Sequence, residues 1–498
     1  MTFKIESKLS LLKKILISFL LILLLIDFGY SFLQYYYTPF DGDMPENIVP
    51  PDNIKKVLES PLGFKAIEEH SIYTNPNRFF CHWSFYQYFN TVPLLLQHFT
   101  TPIRSAYLSC ALAKVAMQFL LTLLLAFAIS GGFKFNFKLL LSSVLITPLF
   151  QVNGYFRHVI GIIDPAPTYD FFYALPMIIL LLYFTPFFFK FFYGIEYKKF
   201  KYIKILWIPL ALVSSLSGAL NTGIALVATF LLVIQNMGKS LHYSTETRFF
   251  GKIRFAFKNM PKDYYYYLLP ISLFSLYSLF LGRYNLNTVS NEMPLSVLYP
   301  RLMEGIYRFF IQNPAYPILF AVLIVNTVLI NLKFKNKEGK KIINAFKWIG
   351  FFSILYLLLL PLGGYRECRP YIIRYDTILP ITMCFLFIFG KTTLFILQNL
   401  SYKQMIGYIP LILAFLLLYT YTDKPEFHRE AYEYEKAAIM KIAQSPDYIV
   451  QVDDYFTILS WTVIRDPAES ALKTKLLKKW NILKEDKLFY QKTTIEKQ

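Results

Sequence analysis

The run ILISFLLILLLIDFGYSFLQYY, residues 15–36, decides the class of the protein. It carries one charged side chain, Asp27, in a stretch long enough for a helix to cross a bilayer, which takes about 20 apolar residues. Lys13-Lys14 precede it, as in a signal peptide. No small-x-small cleavage site follows, however, and the run ends in the bulky Tyr35-Tyr36-Tyr37, so it reads as a retained anchor.

Further apolar runs lie near 104–130, 137–152, 170–192, 205–219, 222–237, 264–283, 316–332, 346–362, 376–391 and 405–421. With the first run they make about eleven candidate spans. The pair at 205–237 is split only by Ser217-Gly218 and Asn221-Thr222-Gly223, a pattern open to a tight hairpin or a re-entrant pair. Composition agrees with a membrane protein. Of 498 residues, 55% are hydrophobic, more than the cores of a soluble protein can hide. The 18% aromatic share suits lipid-facing helices with interfacial belts.

The net charge of +19 would suggest nucleic acid in a soluble protein. Here the basic residues gather in particular loops. With the N-terminus in the cytoplasm, the inside pieces are 1–14, 131–138, 190–204, 238–263, 333–347 and 391–403. They hold 25 Lys/Arg against five Asp/Glu. The loops on the other side are longer in total and hold fewer than half as many basic residues, as the positive-inside rule requires. The expected fold is therefore an all-α membrane protein with a transmembrane domain over 1–421 and a small extracytoplasmic lobe over 422–498. In that lobe 425–443 reads as helix and 448–452 as strand, and the lobe itself reads as a cover. The expected location is a multi-pass position in a bacterial inner membrane. The longer inside loop, 238–263, carries no P-loop or GxGxxG pattern, so nothing supports a cytosolic nucleotide-driven activity.

Four cysteines with no CxxC pair give no zinc spacing. Cys81 and Cys368 both fall in outside loops, where a disulfide between them is open. Chemistry is best sought just after the first span, at Tyr37-Thr38-Pro39-Phe40-Asp41-Gly42-Asp43-Met44-Pro45-Glu46. Asp41 and Asp43 flank a glycine that permits a tight turn, which can aim both carboxylates into one cavity. A partly desolvated carboxylate gains basicity and suits general-base work. Paired acids could also hold a divalent cation. The plain alternative is a solvated Asp-Gly turn. The second signal is Tyr365-Arg366-Glu367-Cys368-Arg369-Pro370 with Arg374-Tyr375-Asp376. It places three arginines in an outside loop, against the charge bias elsewhere. Arginine offers phosphate a planar fork of donors; ion pairing with Glu367 and Asp376 is the plain alternative. Arg157-His158 and Asp164 are weaker candidates. Arg301, Glu304 and Arg308 share one helical face. Asn75–Trp83 is an aromatic loop whose Arg78 and His82 could line a sugar site.

An inside N-terminus, acids directly after span one, eleven or so spans and a C-terminal outside lobe resemble the GT-C superfamily of membrane glycosyltransferases. The resemblance implies that Asp41 or Asp43 is the catalytic base and that the donor is a polyprenyl-phosphate-linked sugar. It implies that Arg366, Arg369 and Arg374 hold the leaving phosphate, with Arg157 and His158 as further substrate ligands, and that the acceptor is a glycan or a lipid. Asp-Gly-Asp departs from the adjacent acidic pair of many members, which puts an obligatory metal in doubt. A transporter or flippase for lipid-linked glycans, or an O-antigen-type polymerase, are the competing readings.

Overall fold

The computed structural model describes residues 2–150, 160–196, 204–242, 248–286, 293–363, 370–423 and 426–492. Among them, nine helices are long and apolar enough to cross a membrane. They are Leu11–Tyr36 (the apolar part of a helix beginning at Thr2), Pro102–Ser130, Pro167–Tyr193, Leu220–His242, Lys262–Tyr284, Ala315–Lys333, Lys337–Gly363, Leu379–Asn399 and Tyr402–Thr422. The protein is an all-α integral membrane protein.

Two expected spans are shorter than the sequence suggested. Phe137–Leu149 is an apolar helix of 10–17 residues. At 1.5 Å per residue it reaches about 20 Å, against a hydrocarbon core of about 30 Å. Trp207–Ser215 stops at a break where Gly218 takes φ +126°, a conformation closed to ordinary side chains. A continuous apolar run does not report where a helix within it is interrupted. Conversely, Phe79–Leu96, read as an aromatic loop at its start, is an 18-residue helix.

Local chemistry explains the ends of the long helices. Pro102 opens its helix where a missing N–H costs nothing, and Gly131, at φ +80°, closes it in the left-handed conformation. Leu379–Asn399 is the hub, with 89% of its apolar window buried against 17% for the first span. Polar contacts tie the hub to its neighbours. Asn326 donates to Thr392 and Thr393 at 3.0 Å each and accepts from the Tyr408 hydroxyl at 2.8 Å. Such interhelical bonds are worth about 0.6 kcal/mol each in a bilayer.

Contacts between helix ends distinguish two ends of the bundle. At one end, Lys190 pairs with Asp263 at 2.7 Å, Lys391 with Glu338 at 3.5 Å, and the Tyr193 hydroxyl reaches the Ile129 carbonyl. The other end holds the first loop, which clasps the end of Lys262–Tyr284. Tyr73 bridges Asn285, and the Asn77 amide donates to the Ser278 carbonyl at 3.0 Å. The C-terminal stretch caps this same end. Helix Glu426–Gln444 leads into strand Ile449–Val452, which pairs in parallel with Leu488–Gln491 around helix Ala471–Lys479. Trp480 is fully buried and donates to the Phe89 carbonyl at 3.0 Å.

Candidate functional site

The first span ends in an aromatic stack. Phe40 lies flat on Tyr107 with ring centres 4.1 Å apart, and Tyr107 meets Tyr432 of the C-terminal helix at 4.6 Å. This stack sets the direction in which Asp41-Gly42-Asp43 leaves the bundle.

The two aspartates then take different roles. Asp41 is buried, and both oxygens of its carboxylate accept hydrogen bonds. Oδ1 accepts from the amides of Asp43 at 2.8 Å and Met44 at 3.0 Å and from the Thr168 hydroxyl at 2.9 Å; Oδ2 accepts from the Thr168 amide at 2.9 Å. Four donors, three of them on Oδ1, hold the carboxylate in place. Asp41 therefore folds the turn and pins it to the start of the helix Pro167–Tyr193. Asp43 is half-buried, and among the described residues its carboxylate takes one side-chain hydrogen bond, from the Trp461 indole N–H at 2.7 Å.

Trp461 extends the site. Its ring stacks on Tyr169 at 6.0 Å and 19°, and the Arg374 guanidinium lies over the other ring of that pair, 5.2 Å from the centre of Tyr169. Arg374 donates from Nε to Asp376 at 3.0 Å and pairs with the same carboxylate through its second nitrogen. The acidic turn and the arginine-bearing loop, about 320 residues apart in sequence, are thus joined by two aromatic rings. Beside them lies a small cavity of about 10 Å³, room for about one water, lined by Arg78, Tyr173, Gly218, Asn221 and Asp376. Arg78 Nε is buried and makes no hydrogen bond among the described residues. A second cavity of about 120 Å³, lined by Phe80, Trp83, Phe171 and Ile179, shares Ser217 with the first.

A buried polar hub supports this arrangement. Glu435 of the C-terminal helix accepts from the Phe40 amide and the Tyr107 hydroxyl at 2.9 Å each and from the Leu459 amide at 3.2 Å. Lys114, buried in its span, donates to the Pro165 carbonyl. Asp170 accepts from the Asp164 amide at 2.8 Å, and Asp164 accepts from the Ala166 amide at 2.8 Å, so Asp164 is a turn-former here.

No protein-family model, curated protein or solved structure matches the chain.

Of the residues singled out in the sequence, the structure brings together Asp41, Asp43 and Arg374, with Arg78 in the cavity beside them. Arg157, His158, Arg366, Arg369 and Cys368 lie outside the described residues. Cys81 is a free thiol that donates to the Ser217 carbonyl at 2.8 Å. His82 is core. Its Nδ1 meets the Asn47 side chain at 2.9 Å, and burial, helped by the Arg78 charge, pushes its pKa down to about 3. It is neutral and faces no site. Arg308 pairs with Glu304 at 2.7 Å on the helix Leu295–Gln312, at the surface. Trp461, Tyr169 and Glu435 were not singled out. Each is a lone residue with no motif around it. The only hint was Trp461 itself, one of five tryptophans in the chain, lying in a lobe otherwise rich in lysine.

Burial pushes the carboxyl of Asp41 up to about 6, against the pull of the Thr168 amide, with the Asp43 charge adding to the rise. Burial pushes Glu435 up to about 7, against the Phe40 amide and the Tyr107 hydroxyl. Both values lie above the ordinary 3.8 and 4.5, so folding favours the neutral forms. Their contribution to stability is complete below those ordinary values and is lost as pH rises through about 6 and then about 7. The melting temperature of the purified protein should accordingly fall between about pH 4 and pH 7 and level off above. Glu435→Gln should flatten the upper part of that fall, and an unchanged slope in this variant would show that Glu435 does not titrate there.

Proposed function

We propose that the protein is a membrane glycosyltransferase of GT-C type. In this reading it moves a sugar from a polyprenyl-phosphate donor to a glycan or lipid acceptor on the non-cytoplasmic face of a bacterial inner membrane. The end carrying the first loop is then the outer end, as the distribution of basic residues requires. The bundle crosses eleven times, counting the two shorter helices, and 422–498 is the outer lobe. One observation carries the reading: Asp43, with a carboxylate oxygen available for a proton, is linked through Trp461 and Tyr169 to Arg374.

In this mechanism an acceptor hydroxyl donates its hydrogen bond to Asp43. As the proton passes to the carboxylate, the oxygen attacks the anomeric carbon from the face opposite the phosphate. The new C–O bond forms as the old one breaks, the configuration inverts, and polyprenyl phosphate departs with the bonding electrons. Arg374 and Arg78 lie where the phosphate charge grows. Fixed cations near such charge do most of the stabilising work in transfers of this kind. The apolar cavity walled by Phe80, Trp83 and Ile179 suits hydrocarbon, and Arg78 lies beside it. Asp41 stays a positioning residue, because it is buried and holds four donors of the turn and of Thr168.

A panel of polyprenyl-phosphate hexoses offered to the reconstituted protein tests the phosphate role. Arg374→Ala or Arg78→Ala should raise the donor KM about 10- to 100-fold, since a charge-assisted hydrogen bond is worth about 1.5–3 kcal/mol. An unchanged KM in both variants would remove them from the donor site.

One observation favours a transporter or flippase. The helix break at Gly218 lines the cavity, and broken helices are how many transporters build their binding sites. Movement of an intact lipid-linked sugar across proteoliposomes would decide for it.

A further inference from the structure

We infer that the exposed indole of Trp461 is the acceptor platform of this site, and that the acceptor it receives is a saccharide ring stacked on the indole with a hydroxyl directed at Asp43.

Four observations lead there. Trp461 is 54% exposed, whereas the lobe's other tryptophan, Trp480, is fully buried. An exposed large aromatic side chain held in one orientation has a use other than packing. Its orientation is fixed twice, by the indole N–H on Asp43 and by the stack on Tyr169. The chain also gives up a side chain to seat it: a Cβ on Gly42 would stand 2.5 Å from the Trp461 amide nitrogen and 2.7 Å from its Cδ1. Only glycine allows the two segments to approach so closely.

The chemistry of the platform points to sugar. An aromatic face is electron-rich and attracts the weakly positive C–H bonds that cover one side of a pyranose. The Asp43 carboxylate, bonded to the indole N–H, is then beside the hydroxyl rim of that ring. The indole N–H engages Asp43 Oδ1, so the acceptor hydroxyl uses the other oxygen of the same group. A lipid acceptor would need hydrocarbon walls leading to Trp461. The apolar cavity instead lies at Phe80, Trp83 and Ile179, and Trp461 is not part of it. The inference rests on the proposed function only in its second half, the direction of the hydroxyl toward a base. Ring stacking on Trp461 stands without it.

The test is saturation-transfer NMR on the full chain in lipid nanodiscs free of glycosidic detergent. The probes are the methyl glycosides of glucose, galactose, mannose and N-acetylglucosamine. At least one should show transfer concentrated on the C–H protons of one ring face. Trp461→Ala and Trp461→Leu should each weaken that binding about tenfold or more, the scale of a lost aromatic stack. Trp461→Phe, which keeps a π face, should stay within about threefold of the wild type. Tyr448→Ala removes another exposed aromatic side chain of the same lobe and should change nothing. Absence of transfer from all four glycosides, or undiminished binding in both Trp461→Ala and Trp461→Leu, overturns the inference. The two readings fail separately. Glycoside binding lost in Trp461→Leu, with no sugar transfer by the wild type from any polyprenyl-phosphate hexose, overturns the enzyme reading and keeps the platform. Transfer lost in Asp43→Asn, with binding intact in Trp461→Leu, does the reverse.

Discussion

Replacing Asp43 by Asn should lower sugar transfer by about 10²- to 10⁴-fold, the range a positioned general base contributes, while leaving the fold as it is. The amide is isosteric and can still accept the Trp461 N–H, so the turn and the lobe contact survive. What it loses is the capacity to take a proton. Asp41→Asn should behave in the opposite way. Its carboxylate satisfies four donors, and an amide must turn an NH₂ toward some of them. Leaving buried donors unmet costs about 1–3 kcal/mol, so this variant should melt earlier and lose activity only as far as the turn distorts. Transfer rates and melting temperatures measured on both variants separate the roles. Normal transfer in Asp43→Asn would remove the base from the mechanism, and equal melting losses in the two would remove the distinction between them.

Gly42→Ala should be the most damaging small change on the surface of the first loop. The added Cβ meets backbone, 2.5 Å from the Trp461 nitrogen and 2.8 Å from the Ser460 carbonyl carbon. Backbone atoms cannot rotate aside as the end of a side chain can. One of the two segments must move, at a cost of about 1–3 kcal/mol as in other overpacked contacts. The 460–461 segment is the one that should yield, because the turn is held by the donors on Asp41. Hydrogen exchange of the amides around 455–465 should then quicken, and both transfer and glycoside binding should fall together. Unchanged exchange there would mean that the lobe does not seat on Gly42.

Much of this architecture was legible before the structure. Apolar runs of about 20 residues located all nine long helices, because the bilayer imposes length and composition together. Interruptions were less legible. Trp207–Ser215 and Phe137–Leu149 sit in runs as apolar as true spans, and only the backbone at Gly218 or the turn at Thr147–Leu149 shows where they stop. Phe79–Leu96 was hidden for the opposite reason: His82, Ser84, Gln87 and Asn90 break its apolar pattern, and its helicity comes from packing between the first loop and the spans. In the site, Asp-Gly-Asp and Arg374 were legible as residue types suited to proton and phosphate chemistry. Choosing between the aspartates was not, since that depends on Thr168, 127 positions away. Glu435 lies in an ordinary charged helix of the tail, and its burial against Phe40 and Tyr107 has no counterpart in local sequence. The tail, read as a cover, supplies both Glu435 and Trp461 to the site.

The most direct test uses a polyprenyl-phosphate hexose labelled with ³H in the sugar and ¹⁴C in the lipid, presented to the protein in proteoliposomes with a glycan acceptor. The labels should part: ³H moves to the acceptor while ¹⁴C remains as polyprenyl phosphate, and Asp43→Asn stops the separation. If the two labels instead cross the bilayer together on an intact donor, the protein carries its lipid-linked sugar and does not transfer it.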